Sequence, residues 1–209
     1  MTKIQTDIPR QEIHIEGITF TAADARLASD GGPSRLQHLF SEDKSGFKSS
    51  LADFLAEWFN ETDTVKVHTS GSTGTPKELW VEKRRMMESA RLTVNFLDLQ
   101  PKDTALLCMP LQYIAGKMVV VRSLVASLNL LPVAPCSRPL QYLETAPDFA
   151  AMVPLQVYTS IQNPRDKELL CQIRHLIIGG GAIDRTLGEE LRDFPHAVSV
   201  SYTHLTLPT

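Results

Sequence analysis

The ten residues from His68 to Lys77, HTSGSTGTPK, place five hydroxyl side chains and two glycines ahead of a lysine. Gly71 and Gly74 lack a Cβ, so the backbone there can take positive φ, approach a ligand closely and turn several N–H groups toward one point. Such a concavity holds anions. The hydroxyls of Thr69, Ser70, Ser72, Thr73 and Thr75 add neutral donors, and Lys77 brings a positive charge able to neutralise phosphate. Pro76 fixes φ at the exit. A Walker A loop is excluded, because it needs Gly directly before the lysine and Ser or Thr after it, where this chain has Pro76 and Glu78. By composition alone the same residues would more often make a plain polar hairpin turn.

Two other segments could bear on a ligand. PLQYIAG (110–116) is a proline and glycine turn carrying an aromatic residue, Tyr113, and leading into an apolar run. IGGGA (178–182) ends a strand-like stretch in glycines, a strand-to-helix turn whose backbone is open to close approach.

The order of residues 68–77 resembles the signature of the adenylate-forming (AMP-binding) acyl-CoA synthetase superfamily, [YF]-T-S-G-[ST]-T-G-x-P-K, agreeing at nine of ten positions with only His68 departing. The resemblance implies a loop that grips the β- and γ-phosphates of ATP through Thr69, Ser70, Gly71, Ser72, Thr73, Gly74 and Lys77. PLQYIAG is similar to the family's P-L-x-H-x-x-G segment, which lines the acyl pocket. Tyr113 and Gly116 are then acyl-pocket residues, and Tyr113 replaces a histidine to which a proton-transfer role is attributed. IGGGA resembles the family's G-G-A or G-G-E segment, implying that Gly179, Gly180, Gly181 and Ala182 face adenine. Tyr202 stands at the tyrosine of Y-G-x-T-E, which packs on the same base.

The short stretch before the phosphate loop, with VHTSGSTGTPKELWVEK and CMPLQYIAGKMVVVRSL, is similar to compact o-succinylbenzoate:CoA ligases of menaquinone biosynthesis of a Bacteroidetes type. The reaction so implied is that of an acid–thiol ligase: carboxylate plus ATP gives acyl-adenylate and pyrophosphate, and CoA then gives thioester and AMP, with Mg2+ accompanying the nucleotide. The resemblance covers roughly residues 50–202 and implies an incomplete N-terminal adenylation domain over 1–202. Residues 203–209 do not continue the pattern, since Thr203, His204, Leu205 and Thr206 stand where G-x-T-E is expected. On this reading the ribose-binding aspartate and the C-terminal lid with its catalytic lysine are absent. The chain alone is then expected to turn over little and to leave a strand edge and apolar surface exposed. A second reading is a catalytically silent nucleotide- or acyl-binding module. A phosphotransferase is disfavoured by the failed Walker pattern, and a serine hydrolase by the lack of G-x-S-x-G.

The elements that must position these residues alternate. QEIHIEGITF (11–20) predicts a short hairpin or edge strand around Gly17, and the apolar set Leu51, Phe54, Leu55, Trp58, Phe59 predicts an amphipathic helix over 50–59. VKVHTS (65–70) and KELWVEK (77–83) flank the phosphate loop as a hairpin. A helix follows over 84–97, stopped by Pro101, with Arg84 and Arg85 on its solvated start. Further strands are expected at 104–110, 130–133, 149–154, 175–181 and 197–202, and helices at 114–128 and 184–192, the latter with an acidic N-cap at Asp184. Prolines 132, 135, 139, 147 and 154 read as loop punctuation. The fold class is α/β, a layered sheet with helices on both faces.

A length of 209 residues gives a prior of one to two domains, with one globular body expected first. Apolar residues at 43%, charged residues at 22% and a net charge of -3 argue against disordered, collagenous and membrane-spanning chains and give no nucleic-acid footprint. The longest apolar stretch, 118–133, is broken by Arg122 and Asn129. It reads as a buried helix and a strand. Cys108, Cys136 and Cys171 form no C-x-x-C pair and the N-terminus has no secretory h-region, so a cytoplasmic location is expected. The histidines show no metal-ligand spacing and no metal site is assigned. The expected partners are thus a small carboxylate, ATP and CoA.

Overall fold

The computed structural model describes residues 4–26, 32–68, 78–194 and, for the backbone, 197–199. The chain divides into two compact units, Met1–Ala134 and Pro135–Thr209.

The first unit opens with strands β1 (Glu12–Ile15) and β2 (Ile18–Thr21), an antiparallel hairpin turning at residues 16–17 as the alternation of Ile13, Ile15 and Phe20 requires. Two short helices follow, α1 (Ala22–Ala25) and α2 (Arg35–Leu39). Ser34 caps α2 by accepting from Gln37 N, and Asp24 accepts from Thr21 N in front of α1. That backbone bond, then the Arg35 guanidinium, holds the Asp24 carboxyl below its ordinary range. Helix α3 (Phe47–Trp58) begins three residues before the expected start and buries Leu51, Phe54, Leu55 and Trp58 along one stripe. The fully buried Trp58 indole donates to Gln11 Oε1 at 2.8 Å, which satisfies its polar end.

Strands β3 (Thr64–His68) and β4 (Glu78–Glu82) pair antiparallel, as the hairpin reading expects. Helix α4 (Lys83–Phe96) follows at once. Its stop is not Pro101. The helix ends because Asp98 takes a left-handed conformation (φ 49°) and Leu99 N turns back to Val94 O. Strand β5 (Thr104–Leu107), helix α5 (Ile114–Ala126) and strand β6 (Asn129–Pro132) make a β–α–β crossover. Helix α5 is buried on nearly every side, by Met118, Val119, Val120, Val121, Leu124 and Val125, which marks it as central. In this unit β1 and β5 both pair parallel with β6, giving the order β2-β1-β6-β5.

The second unit carries β7 (Phe149–Met152), α6 (Pro154–Ile161), α7 (Pro164–Gln172), β8 (His175–Ile178), α8 (Arg185–Glu190) and β9 (Ala197–Ser199). Its strands pair parallel in the order β7-β8-β9, and β7 is buried at all four positions. Asp184 caps α8, accepting from Leu187 N at 2.8 Å, as expected from sequence. Pro135 and Pro147 lie in loops as read, while other prolines depart from that reading. Pro154 opens α6, where the missing N–H costs nothing, and Pro132 lies within β6.

Candidate functional site

Residues 69–77, which contain every phosphate-loop position singled out from sequence, lie outside the described residues, as do Tyr202 and His196. What is described is their frame. The last pair of the β3–β4 hairpin is His68 with Glu78, so both ends of the loop leave from one rung of the ladder. Lys66, His68, Glu78 and Trp80 share a face of this ribbon, because residues directly opposite in an antiparallel pair point the same way. Glu78 Oε1 lies 2.6 Å from Lys66 Nζ and 3.3 Å from His68 Nε2. The hydrogen bond from Lys66, and then that from His68, lowers the Glu78 carboxyl below its ordinary value. The His68 ring reaches the other way with Nδ1, 3.3 Å from Gln112 O, and its backbone N–H donates to the same carbonyl at 3.0 Å. The one residue that departs from the signature thus ties the loop's first rung to the turn before α5.

The opposite edge of β3 is held by side chains that sequence reading did not single out. Lys66 N donates to Glu57 Oε1 at 2.7 Å, and Lys66 O accepts from Lys117 Nζ at 2.7 Å. Lys117 Nζ also meets Glu57 Oε2 at 2.7 Å and lies 4.7 Å from the centre of the Phe54 ring. Lys117 is 6% exposed. A buried lysine one residue after Gly116 is visible in the sequence, but its partner is 60 positions away and nothing in the spacing pairs them. At the hairpin's far end Lys83 is also buried, donating to Asn60 O and Oδ1, and burial lowers its ammonium's pKa.

Tyr113 is half-buried, stands at the N-cap of α5, and forms an isolated parallel bridge with His68. Gly116 lies on the first turn of α5, packed against residues 109–110. A Cβ there would meet Pro110 O at 2.6 Å and Met109 O at 2.8 Å, so only glycine lets the helix sit this close. The structure therefore brings His68, Gln112, Tyr113 and Gly116 into one connected corner at the base of the loop.

In the second unit the glycine turn follows β8. Gly179 N donates to Met152 O at 3.1 Å, and Gly180 takes φ +80°, a conformation that favours glycine. Gly181 needs no such exemption, since a Cβ there would meet Pro154 only at ordinary contact distance, 3.5 Å. Ala182 borders an open pocket of about 220 Å³, together with Pro154, Leu155, Tyr158, Asp184 and Leu187. This pocket lies beyond the carboxyl ends of parallel strands β7 and β8, where ligands bind in open α/β sheets.

Among the described residues no group of three or more His, Cys, Asp or Glu side chains could hold a metal ion, and no helix is long and apolar enough to cross a membrane. Among the described residues no cysteine is in a disulfide: Cys108 is buried, Cys136 half-buried and Cys171 exposed.

The AMP-binding enzyme family profile matches residues 17–203. An acyl-CoA synthetase (AMP-forming)/AMP-acid ligase II-like protein of Dyadobacter fermentans superposes with a TM-score of 0.69 at 29% identity, over 75% of this chain and 45% of that one. The inhibitor-bound N-terminal domain of FACL13 from Mycobacterium tuberculosis has the same fold, with a TM-score of 0.54 at 21% identity over 74% of this chain and 43% of that one. Among curated proteins, the adenylate-forming reductase Nps10 of Heterobasidion annosum is 26% identical over 161 residues, 72% of this chain and 15% of its own length. The chain spans less than half the length of each of these three proteins.

Proposed function

We propose, because the chain belongs to the AMP-binding enzyme family, that it is part of an ATP-dependent carboxylate:CoA ligase that forms an acyl-adenylate and then a thioester. The observation that carries this reading is the TSGSTGTPK segment set between the paired ends of β3 and β4. Amide and hydroxyl donors of Thr69, Ser70, Gly71, Ser72, Thr73 and Gly74 would hold the β- and γ-phosphates, and Lys77 would offset their charge. Mg2+ arrives with ATP as part of that substrate. Gly179, Gly180, Gly181 and Ala182, with Tyr202, would take the adenine, and Tyr113 with Gly116 would border the acyl group.

A carboxylate oxygen then attacks the α-phosphorus and pyrophosphate leaves. In the second step the CoA thiol adds to the acyl carbonyl and AMP leaves. The acid we assign is o-succinylbenzoate, on the likeness of residues 67–83 and 108–124 to the compact ligases for that acid. The three cysteines, none of them in a disulfide, fit a reducing, cytoplasmic location.

Hydroxamate trapping with the complete reading frame tests the assignment. ATP-dependent capture of an activated acyl group with release of pyrophosphate is the expected result, strongest with o-succinylbenzoate. Release of orthophosphate or ADP in its place would overturn it.

A further inference from the structure

In an antiparallel pair the backbone N–H and C=O of alternate residues point away from the partner strand, and at a ribbon edge they need other partners. Lys66 is such a residue on β3: its N–H goes to Glu57 and its C=O to Lys117, while the next outward N–H, that of His68, goes to Gln112 O. No described strand supplies the two bonds at Lys66. A carboxylate from α3 and an ammonium from α5 do so instead, and they close on each other at 2.7 Å over the Phe54 ring. The order is directional, an acceptor at the N–H and a donor at the C=O, and it falls three residues before Thr69, where the proposed phosphate loop begins.

We propose that Glu57 and Lys117 are positioning residues for the phosphate loop, standing in for a third strand on the outer edge of β3 and so fixing where residues 69–77 start. The inference rests on the reading of that loop as the ATP phosphate site. Lys117 sits next to Gly116 on α5, so the same contact links the proposed acyl-pocket helix to the phosphate-binding hairpin.

The test compares affinity for ATP with Mg2+ against affinity for adenosine, which has no phosphates, in the unsubstituted chain, in Lys117→Met and in the double variant Glu57→Leu/Lys117→Met. The double variant removes both charges together, so no buried charge is left unpaired; it does leave the outward N–H and C=O of Lys66 without these partners, and a cooperative urea transition establishes that it is folded. The expected result is roughly tenfold weaker ATP binding in both variants, the equivalent of one lost hydrogen bond to a charged group, with adenosine affinity unchanged. Equal losses for ATP and adenosine, or ATP affinity as in the unsubstituted chain in a folded double variant, would overturn the proposal and leave the loop assignment standing. If the unsubstituted chain binds ATP no better than adenosine, the phosphate-loop reading fails, and the proposal with it.

Discussion

At Gly116 a single hydrogen is all that separates the first turn of α5 from the Met109 and Pro110 carbonyls. Gly116→Ala places a carbon 2.6 Å from a backbone oxygen that has no side-chain rotamer to yield, so α5 or the turn must shift. We expect a loss of about 1–3 kcal/mol, read as a lowered urea midpoint at constant m-value; an unchanged midpoint would mean the contact relaxes freely. At Lys77 the expectation concerns ligand rather than fold. Removing one charged donor to phosphate should weaken ATP about tenfold or more in Lys77→Ala while adenosine titrates as before. These two positions also show what a sequence discloses at this scale. Residues 68–77 could be proposed from sequence because identity and order lie side by side, whereas Glu57 and Lys117 mean nothing until the fold brings them together. His68 is intermediate: it is visible as a departure from the signature, but its bonds to Glu78 and Gln112 require the ribbon and the turn to be in place.

The β3–β4 ribbon responds to acid through Glu78. Its carboxyl is lowered from an ordinary 4.5 by Lys66 first and His68 next, so ionisation favours the folded ribbon. That contribution is complete above the unfolded value and is lost as pH falls through the lowered one. Amide protection at 64–68 and 78–82 should therefore fall on acidification, and Glu78→Gln should flatten this part of the profile. A parallel loss in both proteins would assign it to other carboxylates. For α8, Asp184→Ala removes the acceptor for Leu187 N and should cost about 1 kcal/mol in denaturant unfolding, the usual worth of an N-cap. Elements were legible where periodicity was clean, as in α3 and α4, where an apolar run too broken to span a membrane marked the buried α5, and where Asp184 precedes α8. They were missed at α6 and α7: Pro154, read as loop punctuation, stands at the first position of α6, and Pro164, to which the sequence reading gave no role, at the first position of α7, which Asn163 caps by accepting from Asp166 N.

Across the whole molecule the family match runs from residue 17 to 203 and so passes through the boundary between Ala134 and Pro135, and both compact units are adenylation-domain sequence. The proposed phosphate residues belong to the first unit and the proposed adenine residues to the second. A ligand that binds only the folded chain raises its stability by RT ln(1 + [L]/Kd), about 2.7 kcal/mol at a hundredfold excess over Kd. For a chain of this size each kcal/mol moves the melting temperature by about 2–4 °C, so saturating ATP with Mg2+ should raise it by roughly 5–11 °C. At the same concentration adenosine should raise it less, because the phosphate contacts add affinity and the shift grows with the logarithm of [L]/Kd. Hydrogen exchange then divides the effect: pyrophosphate should protect amides in 64–68 and 78–82, adenosine those at 179–182. Equal melting shifts from ATP and adenosine, with no protection of the β3–β4 strands by pyrophosphate, would show that the hydroxyl-rich loop contributes nothing to nucleotide binding and would remove the basis for assigning this chain to ATP-driven acyl activation.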